Sequence, residues 1–170
     1  DMSLHFSDYR SGERTFQLVT QVSGRSGRAE EQGKVVLQTY DPENYILRFA
    51  VDYDYKGFFE HEISLRKATN FPPFARIVRV MVSAEEEPKA LETLKEVWFS
   101  LKELFDAHTG EFLFFNKMKA PVKRIQNKYR YQVLMRLRSD ALLPEIYARS
   151  LAHASRGVSV YVEENPVNMS

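Results

Sequence analysis

From residue 75 onward the spacing of apolar residues switches repeatedly between a period of about 2 and a period of about 3.6, and no other feature limits the fold as tightly. The run A-R-I-V-R-V-M-V (75–82) is rich in valine and isoleucine and predicts a strand. P-K-A-L-E-T-L-K-E-V-W-F-S-L-K-E-L-F (88–105) follows, with Leu91, Leu94, Trp98, Leu101 and Phe105 on one helical face and acids and lysines on the other. Gly110 stands where such a helix ends. E-F-L-F-F-N-K-M (111–118) and Y-R-Y-Q-V-L-M-R-L-R (129–138) read as two further strands joined by the basic stretch A-P-V-K-R-I-Q-N-K (120–128). In the second of them Tyr131, Val133, Met135 and Leu137 share one face, and Arg130, Gln132, Arg136 and Arg138 share the other. Asp140 is the expected N-cap of a helix over 141–154, with Pro144 in its first turn, and Gly157 leads into a last strand, V-S-V-Y-V-E (158–163). Strand, helix, strand, strand, helix, strand is the split βαβ order. It predicts an α+β domain whose four-stranded, largely antiparallel sheet carries both helices on one face. With no helix left to cover it, the second face is expected to be solvated or bound.

Upstream, the prolines of F-P-P-F (71–74) end any preceding helix and force an extended chain, so a domain boundary is expected there. From residue 45 to about residue 70 the pattern is helical, with Phe49, Tyr53, Phe58, Phe59, Ile63 and Leu65 set among Glu, Arg and Lys. The first fifty residues predict a helix over 14–22, a glycine-punctuated polar loop over 23–33, and a strand, K-V-V-L-Q-T-Y, over 34–40. That is α/β order, but one strand cannot make a sheet. The segment reads as the end of an α/β domain. The expected organisation is therefore 1–50 as that remnant, 51–74 as a helical linker and 75–170 as the α+β domain. A length of 170 residues fits one domain plus a piece of another, and an opening Asp-Met-Ser reads as a cut from a longer protein.

An apolar fraction of 44% with 28% charged residues predicts a packed core rather than disorder. The lack of cysteine removes disulfides, thiolate metal sites and a cysteine nucleophile, and His5, His61, His108 and His153 are too scattered to suggest zinc. Glu85, Glu86 and Glu87, just before Pro88, read as a solvated turn rather than a metal site. No apolar run reaches the roughly 18 residues of a membrane span, and the first residues lack the pattern of a secretory signal.

The net charge of +1 hides an uneven distribution. Residues 112–139 hold eight cations and no acid, which leaves 16 basic and 23 acidic residues elsewhere. The cations are Lys117, Lys119, Lys123, Arg124, Lys128, Arg130, Arg136 and Arg138. A one-sided patch of this kind suits a phosphate backbone, although a solvated sheet face would also carry charge. Lys117, Lys119, Lys123, Arg124 and Lys128 are expected to contact phosphates, with Arg130, Arg136 and Arg138 on the open sheet face. Tyr129 could stack a base, while alternation assigns Tyr131, and the helical stripe Trp98, to the core.

Gln21, Gly24, Arg25 and Arg28 form the pattern Q-x-x-G-R-x-x-R at the end of the first helix. Arginines three apart can reach one oxyanion cluster, as phosphoryl transfer needs, or they can cap carbonyls at an exposed helix end. Spacing alone leaves both readings open. The pattern resembles motif VI of superfamily 2 helicases. The longer stretch S-D-Y-R-S-G-E-R-T-F-Q-L-V-T-Q-V-S-G-R-S-G-R, then G-K-V-V-L-Q-T-Y-D-P, E-H-E-I-S-L-R-K, F-P-P-F-A-R, R-Y-R-Y-Q-V-L-M and the V-x-V-x-x-N-P ending, is similar to the primosomal protein N′ (PriA) family of replication-restart helicases. The resemblance covers almost the whole chain. It implies the end of a RecA-like helicase lobe, with Gln21, Arg25 and Arg28 at ATP phosphates, followed by a domain like ribosomal protein S10. It implies contacts with DNA forks, single-stranded DNA, single-stranded DNA-binding protein and primosome proteins in a bacterial cytoplasm. Walker A, D-E-x-H and the family's zinc-binding cysteines are not in this sequence. ATP, Mg²⁺ and structural zinc would then belong to the longer parent, and this piece alone is expected to be inactive as an ATPase, with no cofactor of its own. The other reading is a free-standing module that binds nucleic acid or protein without ATP chemistry.

Overall fold

The computed structural model describes residues 9–25 and 34–166; the side chains of Arg25, Pro121, Val122 and Lys123 lie outside the described set. The chain divides into two compact units, Asp1–Thr69 and Asn70–Ser170.

In the first unit, α1 (Ser11–Arg25), α2 (Tyr45–Val51) and α3 (Tyr55–Thr69) enclose a small core of Phe16, Val19, Ala50 and Phe58. Phe16 and Phe58 stack with ring centroids 4.4 Å apart. The helical pattern expected over 45–70 is broken in two, because Tyr53 adopts a left-handed φ of 53° and Asp54 then restarts the helix. Asp54 Oδ1 accepts the Gly57 amide at 2.8 Å, which satisfies one of the amides that a helix start leaves open. A Cβ at Gly57 would lie 2.2 Å from Asp54 Oδ2 and 2.8 Å from Phe49, so the cap and the close approach of α2 both need glycine there. The strand expected over 34–40 does not form. That segment is irregular, with Val36 92% exposed, because no strand lies beside it among the described residues and an unpaired strand leaves its amides unsatisfied.

The second unit holds β1 (Arg76–Ala84), α4 (Glu87–Ala107), β2 (Phe112–Ile125), β3 (Lys128–Leu137), α5 (Leu143–Leu151) and β4 (Val158–Glu164). The sheet order is β2-β3-β1-β4, with every neighbouring pair antiparallel. Val78, Val80 and Val82 of β1, Val133 and Met135 of β3, and Val158 and Val160 of β4 face one way. They pack against Leu94, Val97, Leu101 and Leu104 of α4 and Leu142 and Ile146 at α5, so both helices lie on that face. Each such side chain contributes about 1.5–3 kcal/mol by leaving water.

The opposite face is not open, contrary to the expectation from helix count. Ile77, Met81, Leu134 and Gln132 on it are at most 2% exposed. Arg79 donates to Glu163 at 2.6 Å, and the Phe71 ring lies 4.9 Å from the Arg136 guanidinium carbon. The near-continuous apolar run of β1 was the available signal, since a strand buried on both faces loses its alternation. At the sheet's end Asn165 Oδ1 accepts the Ile77 amide at 3.0 Å and its own amide donates to Ile77 O at 2.7 Å, giving the N-P ending a structural role.

Two local expectations also change. Asp140 does not cap α5, whose N-cap is Leu142; its carboxylate instead takes both Nε and Nη2 of Arg76, an ion pair that ties the start of β1 to the turn after β3. The basic stretch 120–128 is not a linking loop. β2 and β3 run through it to a two-residue turn at Gln126 and Asn127, both left-handed with φ of 48° and 64°. Between Lys119 opposite Tyr131 and Arg124 opposite Tyr129 the register shifts, so four residues of β2 face one residue of β3. Pro121, which cannot donate to a ladder, sits in that bulge.

Candidate nucleic-acid interface

The eight cations of residues 112–139 are distributed over an edge strand, a hairpin turn and a largely covered sheet face. Lys117 and Lys119 stand opposite Val133 and Tyr131, residues of the helix-side core, so both leave the edge strand β2 on the helix side. Both are exposed, and Lys117 Nζ lies 5.0 Å from the Trp98 ring centroid. Tyr131 is buried, and its hydroxyl donates to the Glu87 carboxylate, which closes it to stacking.

Arg124 and Lys128 flank the hairpin turn and are exposed. The Arg124 guanidinium lies 5.1 Å from the half-buried Tyr129 ring and also donates to Asn127 Oδ1. Lys128 borders a hollow of about 360 Å³ shared with Glu85, Glu86, Lys89 and Ser155, where Glu86 is paired with Lys89 at 2.6 Å. Lys123 belongs to the bulge, and its side chain lies outside the described residues.

The remaining three do not form the open cationic face that alternation suggested. Arg130 is half-buried and donates to the Tyr161 hydroxyl at 3.4 Å. Arg136 is half-buried against Phe71, and desolvation lowers its pKa, although a guanidinium stays charged at neutral pH. Arg138 is exposed at the far end of β3 and donates to Gly110 O at 3.0 Å. β3 rises about 3.4 Å per residue, which separates Lys128 from Arg138 by roughly 34 Å. The cations available to a phosphate backbone therefore concentrate along β2 and the hairpin turn.

Trp98 is where the sequence reading falls short. It is only half-buried, stacked on Phe115 at 4.4 Å with Lys117 Nζ 5.0 Å from its ring centroid. Helical spacing located the residue but could not reveal that the neighbouring strand is an edge.

In the first unit, Gln21 is exposed four residues before Arg25, the last residue of α1, so the two share one side of the helix. The Arg25 side chain and the whole of Arg28 lie outside the described residues. Among the described residues no group of three or more His, Asp or Glu side chains could hold a metal ion, and no helix is long and apolar enough to cross a membrane.

The family model described as primosomal protein N C-terminal domain matches residues 67–167. Replication restart protein PriA of Bacillus subtilis is 35% identical over 99% of the chain, which spans 21% of that relative. The protein of the same name from Synechocystis is 35% identical over 80% of the chain and 16% of the relative, and that of Borreliella burgdorferi is 29% identical over 96% and 24%. The chain thus spans about a fifth of the length of these curated relatives.

Proposed function

The chain belongs to the primosomal protein N C-terminal domain family, and from that premise we propose that it is the C-terminal portion of a replication restart protein, an ATP-dependent 3′–5′ DNA helicase that recognises stalled forks and reloads the replisome. The observation that carries this reading is similarity running through 99% of the chain to a relative named for replication restart, upstream of the matched domain as well as within it. That extent favours the helicase portion over a free-standing module, which would have no reason to retain the first unit.

In this reading the second unit binds DNA. Lys117, Lys119, Lys123, Arg124 and Lys128 contact phosphates, and Arg130, Arg136 and Arg138 support the sheet from which they project. Phosphate contacts position a strand without reading its sequence. The sheet order and the helix-covered face support a fold like ribosomal protein S10. The first unit is the end of a RecA-like lobe, whose Gln21, Arg25 and Arg28 serve an ATP site completed by upstream residues, where the phosphate loop, the Mg²⁺ ligand and structural zinc reside. Single-stranded DNA-binding protein and primosome proteins are the partners.

The test uses the longer parent and this chain side by side. Arg28→Ala in the parent should leave DNA affinity near its starting value while lowering ATP turnover at least tenfold, and unchanged turnover would remove Arg28 from the site. The 170-residue chain should bind DNA and hydrolyse no ATP; robust Mg²⁺-dependent hydrolysis by this chain overturns the reading.

A further inference from the structure

The solvent side of α4 is divided lengthwise by charge. Taking Trp98 as origin and turning about 100° per residue, Lys102, Lys95 and Phe99 follow within about 100°, whereas Glu92, Glu103 and Glu96 fall at about 120–160°. The contacts agree with this division. Glu103 and Glu96 face α5, meeting Arg149 at 3.4 Å and His153 at 3.3 Å, while Trp98 and Phe105 face β2 and stack on either side of Phe115 at 4.4 and 5.0 Å. The half of α4 beside β2 is therefore aromatic and basic. Of the two acids on that side among the described residues, Asp106 is paired with Lys102 and Glu87 accepts the Tyr131 hydroxyl. β2 adds Lys117 and Lys119 from the same side.

Phe99 is 64% exposed, so its ring is accessible beside Lys95 and Lys102 on the same helix. Trp98 rests with one ring face on Phe115, and Lys117 Nζ stands 5.0 Å from its centroid. An ammonium on an indole at an exposed site is held weakly enough for an arriving phosphate to draw it away.

We propose that Trp98 and Phe99, flanked by Lys95, Lys102, Lys117 and Lys119, form a base-stacking subsite for single-stranded nucleic acid along the α4–β2 edge. An unpaired base takes the place of the Lys117 ammonium on Trp98, and Lys117 moves to the adjoining phosphate. Aromatic platforms set among cations bind single strands in this way because every base offers a π face, whereas a paired base is already stacked. The inference rests on the nucleic-acid reading of the second unit and specifies where, and in which form, the strand is held.

Trp98 is the chain's one tryptophan, so its emission reports this subsite alone. The 170-residue chain is titrated with end-labelled oligothymidylate while emission and label anisotropy are followed together. Saturable quenching in step with anisotropy is expected, and raising salt should reverse both. Trp98→Leu should weaken binding about tenfold, the order of one base–aromatic stack, and Trp98→Phe should retain most of the affinity. Phe99→Ala, at an exposed position that leaves the core intact, should weaken it several-fold. Anisotropic binding without quenching, full affinity in Trp98→Leu and Phe99→Ala, or equal quenching by a fully paired duplex overturns the subsite and leaves DNA binding standing. Quenching by a polyglutamate peptide but not by oligothymidylate assigns the surface to an acidic protein and also overturns it. No anisotropy change with either DNA form rejects the nucleic-acid reading itself.

Discussion

Glu62 is the residue on which the first unit turns. The residue is 7% exposed, and its carboxylate accepts the Tyr45 hydroxyl at 2.6 Å and lies 3.7 Å from Arg66, which in turn bonds Glu13 at 2.6 Å. One buried acid thus links all three helices. A Cβ on Gly12 would fall 2.8 Å from Glu62 Oε1, so a larger residue at that point would displace the carboxylate. Burial, then the bond and charge of Glu62, hold the Tyr45 phenol well above its ordinary value of about 10. Because the folded pKa is the higher one, the stability Tyr45 contributes is fully present below about pH 10 and is lost as the pH rises beyond it. Denaturant midpoints measured from about pH 8 to pH 11 should fall toward the alkaline end, and Tyr45→Phe should flatten that fall. Equal slopes in the two chains would remove Tyr45 as the cause.

At the scale of elements, the β2–β3 hairpin carries the least favourable local choice. A two-residue turn with both residues left-handed favours Asn-Gly, and here it is made by Gln126 and Asn127. Replacing the pair by Asn-Gly should stabilise the second unit by about 0.5–1 kcal/mol without changing the register, measured by chemical denaturation. No gain would mean the bulge upstream, rather than the turn, sets the hairpin. Gln-Asn is also why the turn was illegible in the sequence: Asn suits the left-handed region, but Gln rarely marks a turn and no glycine follows, and the cations around the pair suggested a loop. The extent of α4 was legible almost to its ends, but its buried face runs through Ala90, Thr93, Leu94, Val97, Leu101 and Leu104, which leaves the expected Leu91 exposed and Trp98 and Phe105 only partly buried. The strand expected at 34–40 rested on composition alone, and composition cannot supply a partner strand.

For the molecule as a whole, the charge distribution matters more than its sum. The basic segment is contiguous in the chain but is distributed over an edge, a turn and a covered face. Reversing Lys123 and Arg124 to Glu should therefore weaken DNA binding at least tenfold at low salt and flatten its salt dependence, while Arg138→Glu, roughly 34 Å from the turn, should change affinity less than threefold. Equal effects at the two ends, read by anisotropy over a salt series, would mean that the strand follows the whole length of β3.

Strand and helix order after residue 75 and the excess of cations over 112–139 were determined by the sequence itself, because periodicity and composition are local properties of the chain. Which cations remain free was decided only in three dimensions. Arg136 is spent against Phe71, Asp140 leaves its helix for Arg76, and Trp98 meets water because β2 lies at the edge of the sheet. Each of those outcomes depends on a neighbour supplied by strand pairing, and pairing joins residues whose separation along the chain no local pattern records.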